Sequence, residues 1–262
     1  MTSLEMECEN CQCNSVNAER QNAILYTILS QNDHAGACYN LAQYRCLCEN
    51  RRTVCLKTPH LTCQAASNVL VKTISFVKNL PSFQLLPQED QLLLLESCWA
   101  PLFILGLAQE MVSFEVTETL APSMLKRILL DGQSCSRSPE YGKTQPTLAG
   151  VQRLQCCLNK FWSLDLSQKE YAYLKGAILF NPDVQGLRAS LYIESLQQEA
   201  QKALRELLMP LHPEDPGRFA RILLTASTLK SISPALISDL FFRSVIGNAD
   251  IVELVMEMLY MQ

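Results

Sequence analysis

The sequence predicts an all-α fold, and three observations carry that prediction. Apolar residues recur at helical spacing in one segment after another from about Leu61 onward. Only 9 glycines occur in 262 residues, about half the usual share of roughly 7%, which disfavours a turn-rich β architecture. Ser167-Gln168-Lys169-Glu170 is a capping box that opens a helix in its own right. With 48% hydrophobic and 18% charged residues, the chain has material for a large buried core, and wholesale disorder is excluded.

Residues 1–18 are polar, and 19–31 carry Ile24, Leu25, Ile28 and Leu29 at helical spacing. Residues 32–60 show no period. A long helix is expected over 62–80, with Val69, Leu70, Thr73, Ile74 and Val77 on its inner face and Pro81 at its end. The next, from Pro87 to about Val112, is apolar almost all round and belongs in the middle of the fold. Phe114-Glu115-Val116-Thr117 alternates and predicts a short strand. Further helices are expected over 122–130, 147–162, 167–180, 186–209, 216–243 and 250–260. A Ser-, Gly- and Pro-containing loop covers 132–146, and Pro210, Pro213 and Pro216 break the chain between two of the helices.

The net charge of −4 excludes a generally basic nucleic-acid-binding surface. The N-terminus is acidic and lacks the apolar run of a secretory signal. The longest unbroken apolar stretch, Trp99 to Ala108, is too short to span a bilayer. Reduced thiols and a location in the nucleus or cytoplasm are therefore expected, with no membrane association. No Gly-rich phosphate loop, nucleophile elbow or H-E-x-x-H occurs, and nothing positions His34, His60 or His212 for catalysis, so no enzyme is expected. Cys98, Cys156 and Cys157 fall within helices and are expected to be buried structural thiols.

Eight of the 12 cysteines fall within the first 63 residues. Paired zinc fingers need repeated C-x2-C spacings, and only Cys8–Cys11 has one. The same segment carries 5 Lys/Arg and 6 Asp/Glu, so it has no surplus of cations to neutralise phosphates. DNA binding by this segment is rejected. Loose thiols are the simplest reading, and a single zinc site from Cys46, Cys48, Cys55, His60 and Cys63 is the alternative; no metal and no cofactor are assigned.

Two short stretches carry large aliphatics at i, i+3 and i+4: Leu25, Ile28, Leu29 and Leu125, Ile128, Leu129. Such a helix either packs on its own domain or lies in a hydrophobic groove on a partner. Three buried aliphatics, worth about 1.5–3 kcal/mol each before ordering costs, suffice for a micromolar complex.

From about residue 66 the chain resembles the nuclear-receptor ligand-binding domain. The resemblance rests on Phe76-Val77-Lys78-Asn79-Leu80-Pro81-Ser82-Phe83, Asp90-Gln91-Leu92-Leu93-Leu94-Leu95, Leu179-Phe180-Asn181-Pro182-Asp183, Gly217 to Leu224, Leu240 to Gly247, and Leu254-Val255-Met256-Glu257-Met258-Leu259. It implies a three-layer antiparallel helical sandwich over 62–262 with at most one short β hairpin. A Cys-rich segment with a receptor-interacting helix then occupies 1–61. Since no zinc-finger module precedes the domain, the chain is most similar to an atypical branch of the family that lacks one.

The resemblance also implies a transcriptional corepressor. Its leucine-rich helices would occupy the coactivator groove of other nuclear receptors, displace coactivators and bring in repressor proteins, without direct DNA contact. Lys78 and Glu257 match the family's charge clamp, and Ile74, Gln91, Leu92, Glu96, Leu254 and Met258 match positions lining the groove it borders. Glutamate suits the N-terminal amides of a docked helix and lysine its C-terminal carbonyls. Ile28-Leu29 stands where the family's motif has Leu-Leu, a volume-conserving change. No Lys or Arg lies between Asn79 and Leu125, so a buried carboxylate ligand would lack a partner; Trp99, Phe103, Ile104 and Leu107 are expected to fill the interior instead. The Arg218 to Ile232 helix corresponds to the family's dimer surface, implying homo- or heterodimers. The competing readings are a ligand-regulated domain that recruits coactivators through its own Lys78/Glu257 groove, and a thiol-based redox or zinc sensor.

Overall fold

The computed structural model describes residues 52–120, 146–247 and 249–260, all within the second of two compact units, Leu47–Gln262. Strand β1 (Arg52–Leu56) leads into α1 (Pro59–Lys78), a single turn α2 (Pro81–Gln84), the long α3 (Gln88–Gln109) and strand β2 (Val116–Leu120). Then follow α4 (Leu148–Leu164), α5 (Gln168–Leu179), α6 (Ser190–Leu211), α7 (Arg218–Ser227), α8 (Pro234–Ile237), α9 (Arg243–Ile246) and α10 (Ile251–Tyr260). The fold is all-α with one small sheet.

Helix α3 occupies the middle, as a helix apolar almost all round requires. Thirteen of its residues are buried, Leu94 and the run from Trp99 to Ala108 apart from Pro101 among them. Helices α1 and α10 pack against it, as do α4 and α5, while α6 and α7 form an outer layer on α5 and α4. The expected inner face of α1 is buried at every position, Val69, Leu70, Thr73, Ile74 and Val77. Gly106 permits the close α1–α3 crossing: a Cβ there would stand 2.6 Å from Val69 Cγ1. At the far end of α3, the Trp162 Nε1–H donates to the Ala108 carbonyl at 3.0 Å, beside the Met111 N–H at 3.1 Å.

Phe103, Trp99, Ile104 and Leu107 are at most 2% exposed. Phe103 meets Phe241 and Phe242 with ring centroids 5.8 and 5.3 Å apart, and Phe114 meets Phe241 edge-on at 5.1 Å. Burial pushes the Cys98 thiol far above the ordinary range, so it stays protonated and inert.

Helix α5 begins at the predicted capping box. The Glu170 N–H donates to Ser167 Oγ, and the Ser167 N–H returns a bond to Glu170 Oε2 at 2.6 Å. The box does more than cap. Glu170 Oε1 also receives Arg218 at 2.9 Å from the start of α7, and both side chains are buried. Arg218 donates as well to the Asp165 carbonyl, which follows α4. Burial opposes the charged carboxylate, but the Ser167 N–H and the Arg218 guanidinium outweigh it and hold Glu170 below its usual range.

Four expectations change. The helix expected over 216–243 is interrupted: Ile232 and Ser233 are extended and Pro234 opens α8, because a proline ring disfavours the helical conformation in the residue before it. The break expected at Pro210 falls after Leu211, since α6 runs through the proline. The strand foreseen near Val116 pairs with β1 in an antiparallel register, Val54 opposite Glu118, so the sheet joins distant segments instead of forming a local hairpin. Cys156 is exposed while Cys157 is buried and bonded to Thr228, as expected for neighbours that point about 100° apart on a helix.

The Glu170–Arg218 pair makes a measurable demand. Replacing Arg218 by Ala leaves a buried carboxylate unpaired and should cost about 3–5 kcal/mol of unfolding free energy, read by urea denaturation. Since the folded Glu170 carboxyl sits below its unfolded value, its contribution is present at neutral pH and lost as pH falls through the folded value. The acid limb of the stability curve should therefore be shallower in the variant.

Candidate partner-binding groove

Residues from the start of α3 and from α10 with its cap line one surface hollow. Three polar side chains fix its frame. Gln84 Nε2 donates to the Lys78 carbonyl at 2.7 Å, closing the end of α1. Gln91 Nε2 donates to the Leu86 carbonyl at 2.9 Å and to the Gln84 carbonyl at 3.4 Å, tying α2 to α3. Asp90 is wholly buried, and its two oxygens accept the N–H groups of Arg188 and Ala189 at 2.9 and 2.8 Å. That carboxylate satisfies the orphan amides ahead of α6 and pins the first turn of α3.

Helix α10 is held by one stripe. Ile251, Val255 and Leu259, at i, i+4 and i+8, are buried in the same core cluster as α3. Gly247, at φ +63°, turns the chain out of α9 ahead of it. Asp250 Oδ1 then accepts the Val252 N–H at 2.9 Å and caps the first turn.

Between α3 and α10 lies an open hollow of about 440 Å³, lined by Leu92, Glu96, Asp250, Val252, Glu253, Met256 and Glu257. Leu92, Val252 and Met256 supply apolar surface, and four carboxylates surround it. Of the groove residues expected from sequence, Leu92, Glu96 and Glu257 meet in this hollow. Ile74 is buried in the core, and Lys78 stands half-buried in the last turn of α1. Gln91 spends its amide on the α2–α3 connection. Leu254 and Met258 are half-buried and pack against the core.

Sequence reading passed over Asp250, Val252, Glu253 and Met256. Helical periodicity held the signal, because Glu253 lies one turn before Glu257 and Val252 one turn before Met256. Leu25, Ile28 and Leu29, together with Leu125, Ile128 and Leu129, lie outside the described residues. Among the described residues, no three His, Cys, Asp or Glu side chains converge as metal ligands; Cys55 lies 3.8 Å from Thr119 Oγ1, and Cys63 lies 3.4 Å from Ser244 Oγ.

Beside α1, Lys175 is buried with Nζ 2.6 Å from Gln109 Oε1 and 5.4 Å from the centre of the Phe76 ring. Burial lowers its pKa below the usual lysine range. This lysine holds α1, α3 and α5 together and does not open on the hollow.

The hollow exists only while α10 is docked. Ile251→Ala should cost about 2–4 kcal/mol of that docking, visible as loss of hydrogen-exchange protection in α10 while α3 stays protected.

A family model for the ligand-binding domain of nuclear hormone receptors matches residues 56–246. Nuclear receptor subfamily 0 group B member 2 of Rattus norvegicus is 55% identical over 241 residues, covering 91% of this chain and 93% of the relative. The protein of the same designation from Homo sapiens is 52% identical over 254 residues, covering 96% and 97%. Nuclear receptor subfamily 0 group B member 1 of Homo sapiens is 41% identical over 223 residues, covering 79% of this chain and 47% of that longer protein. With its central α3, docked α10 and family-wide match, the chain belongs to the nuclear hormone receptor family of transcription regulators and carries its ligand-binding domain.

Proposed function

We propose that the protein is a transcriptional corepressor that works through protein contacts. The observation that carries this reading is the seating of α10. Its apolar stripe, Ile251, Val255 and Leu259, is buried in the core cluster, and its outer flank forms an open hollow with the start of α3.

In this reading Leu25, Ile28 and Leu29 form one helical face that inserts into the coactivator groove of another nuclear receptor, and Leu125, Ile128 and Leu129 form a second. Occupying that groove displaces the activating partner. The chain's own groove, with Ile74, Lys78, Gln91, Leu92, Glu96, Leu254, Glu257 and Met258 at or around it, receives a helix from a repressor protein. Segment 1–61 is the arm that carries the first helix, and 62–262 is the receptor-like body. The protein contacts DNA only through the receptors it binds, acts in the nucleus and passes through the cytoplasm. Self-association or heterodimerisation uses the α7 region.

The test is a pull-down of purified partner receptor domains. Replacing Leu25, Ile28 and Leu29 together by Ala removes about 4 kcal/mol or more of apolar burial, so capture should fall at least about a hundredfold. Undiminished capture would remove the first motif from the account.

A further inference from the structure

We propose that the β1–β2 sheet makes the protein bivalent, so that the Leu25 and Leu125 segments engage the two coactivator grooves of one receptor dimer at once. The inference rests on the reading of those segments as groove-filling motifs, and adds the number of grooves that the partner presents.

The register of the sheet carries it. The strands are antiparallel, and Arg52, where β1 begins, lies opposite Leu120, where β2 ends. Residues paired across antiparallel strands stand about 5 Å apart. Traced backwards from Arg52, the chain leads to Leu29, Ile28 and Leu25; traced forwards from Leu120, it leads to Leu125, Ile128 and Leu129. Both motifs are therefore tethered at the same end of one sheet, although α1 and α3 separate the two strands in sequence.

That anchor is part of the body. Val54 is buried, and Leu56 and Val116 pack against the core cluster. At the opposite end of the sheet the Lys57 N–H donates to the Glu115 carbonyl at 2.9 Å, and Lys57 Nζ meets Glu115 Oε2 at 2.6 Å.

Reach sets what can be bridged. Leu29 precedes Arg52 by about 23 residues and Leu125 follows Leu120 by about 5, so full extension at about 3.4 Å per residue spans ~95 Å. A receptor domain of about 200 residues is ~43 Å across, so the grooves of two paired domains lie within ~85 Å of each other. Against a single domain only one motif can be seated, and the second adds at most about a factor of two. Against two grooves held together, the second contact is intramolecular and raises affinity by about 10²–10⁴.

Fluorescence anisotropy with the full chain tests this. The labelled probe is a nuclear-receptor ligand-binding domain in three forms: single, a tandem pair joined by a Gly/Ser linker, and the same pair with one groove filled by a fused Leu-x-x-Leu-Leu helix. The open pair should bind at least about a hundredfold tighter than the single domain, with one chain per pair. Filling one groove should abolish that gain, as should replacing Leu125, Ile128 and Leu129 together by Ala. Inserting about 60 Gly/Ser residues ahead of Arg52 should reduce the gain about fivefold, following the −3/2 power of tether length. Equal affinity for the open pair and the single domain would overturn bivalency and leave the motifs standing. A gain untouched by the insertion would overturn the shared anchor. No binding to the single domain would overturn the groove-filling reading and this inference together.

Discussion

Helix α3 is apolar nearly all round over its second half, Cys98 to Ala108, and the rest of the molecule is arranged to cover it. A helix apolar around its whole circumference is stable in a water-soluble protein only when neighbours enclose it on all sides. Helices α1, α4, α5 and α10 do so. Composition alone would let α3 cross a bilayer, yet 67% of its most apolar window is buried within this fold. Because α10 is one of the enclosing pieces, a core requirement places the last helix beside the first turns of α3 and so creates the candidate groove.

Enclosure fixes contacts but not register, which falls to a few buried polar groups. Asp90 locks the start of α3 to the amides before α6, and Glu170 with Arg218 locks the start of α5 to α7. Each is buried, and each is satisfied by more than one donor. Unsatisfied, either carboxylate would cost more than a lost methyl group, so these positions tolerate little displacement. The groove inherits that rigidity on its α3 side. On its α10 side it depends on three aliphatic contacts, Ile251, Val255 and Leu259, a weaker and more adjustable hold.

Most of the fold was legible because it is local. The inner stripe of α1, the all-round apolarity of α3 and the Ser167 capping box each lie within one segment and need no tertiary knowledge. The misread parts are non-local or turn on one residue. Strand β1 has no period of its own and exists because Val116 to Leu120 pairs with it from the far end of α3. Pro234 broke a helix whose apolar spacing looked continuous. Arg218 entered the sequence reading only through the family pattern, and its buried partner Glu170 lies 48 positions away. In the groove, the family pattern led to Leu92, Glu96 and Glu257, but four further wall residues follow from the flank that α10 turns towards α3, which only docking decides.

In the proposed reading, the hollow and the leucine-rich segments around Leu25 and Leu125 are complementary tools, one to receive a helix and the others to enter grooves. Corepression then follows from occupancy: a receptor whose groove is filled by this chain has no room for an activating helix. Competition binding tests that claim most directly. A labelled coactivator-type helix is bound to a partner receptor domain, and unlabelled full-length protein is titrated in while polarisation is followed. The account predicts complete release of the labelled helix, with a midpoint that tracks the protein's own affinity for the receptor. A stable complex holding receptor, labelled helix and this protein together would contradict it.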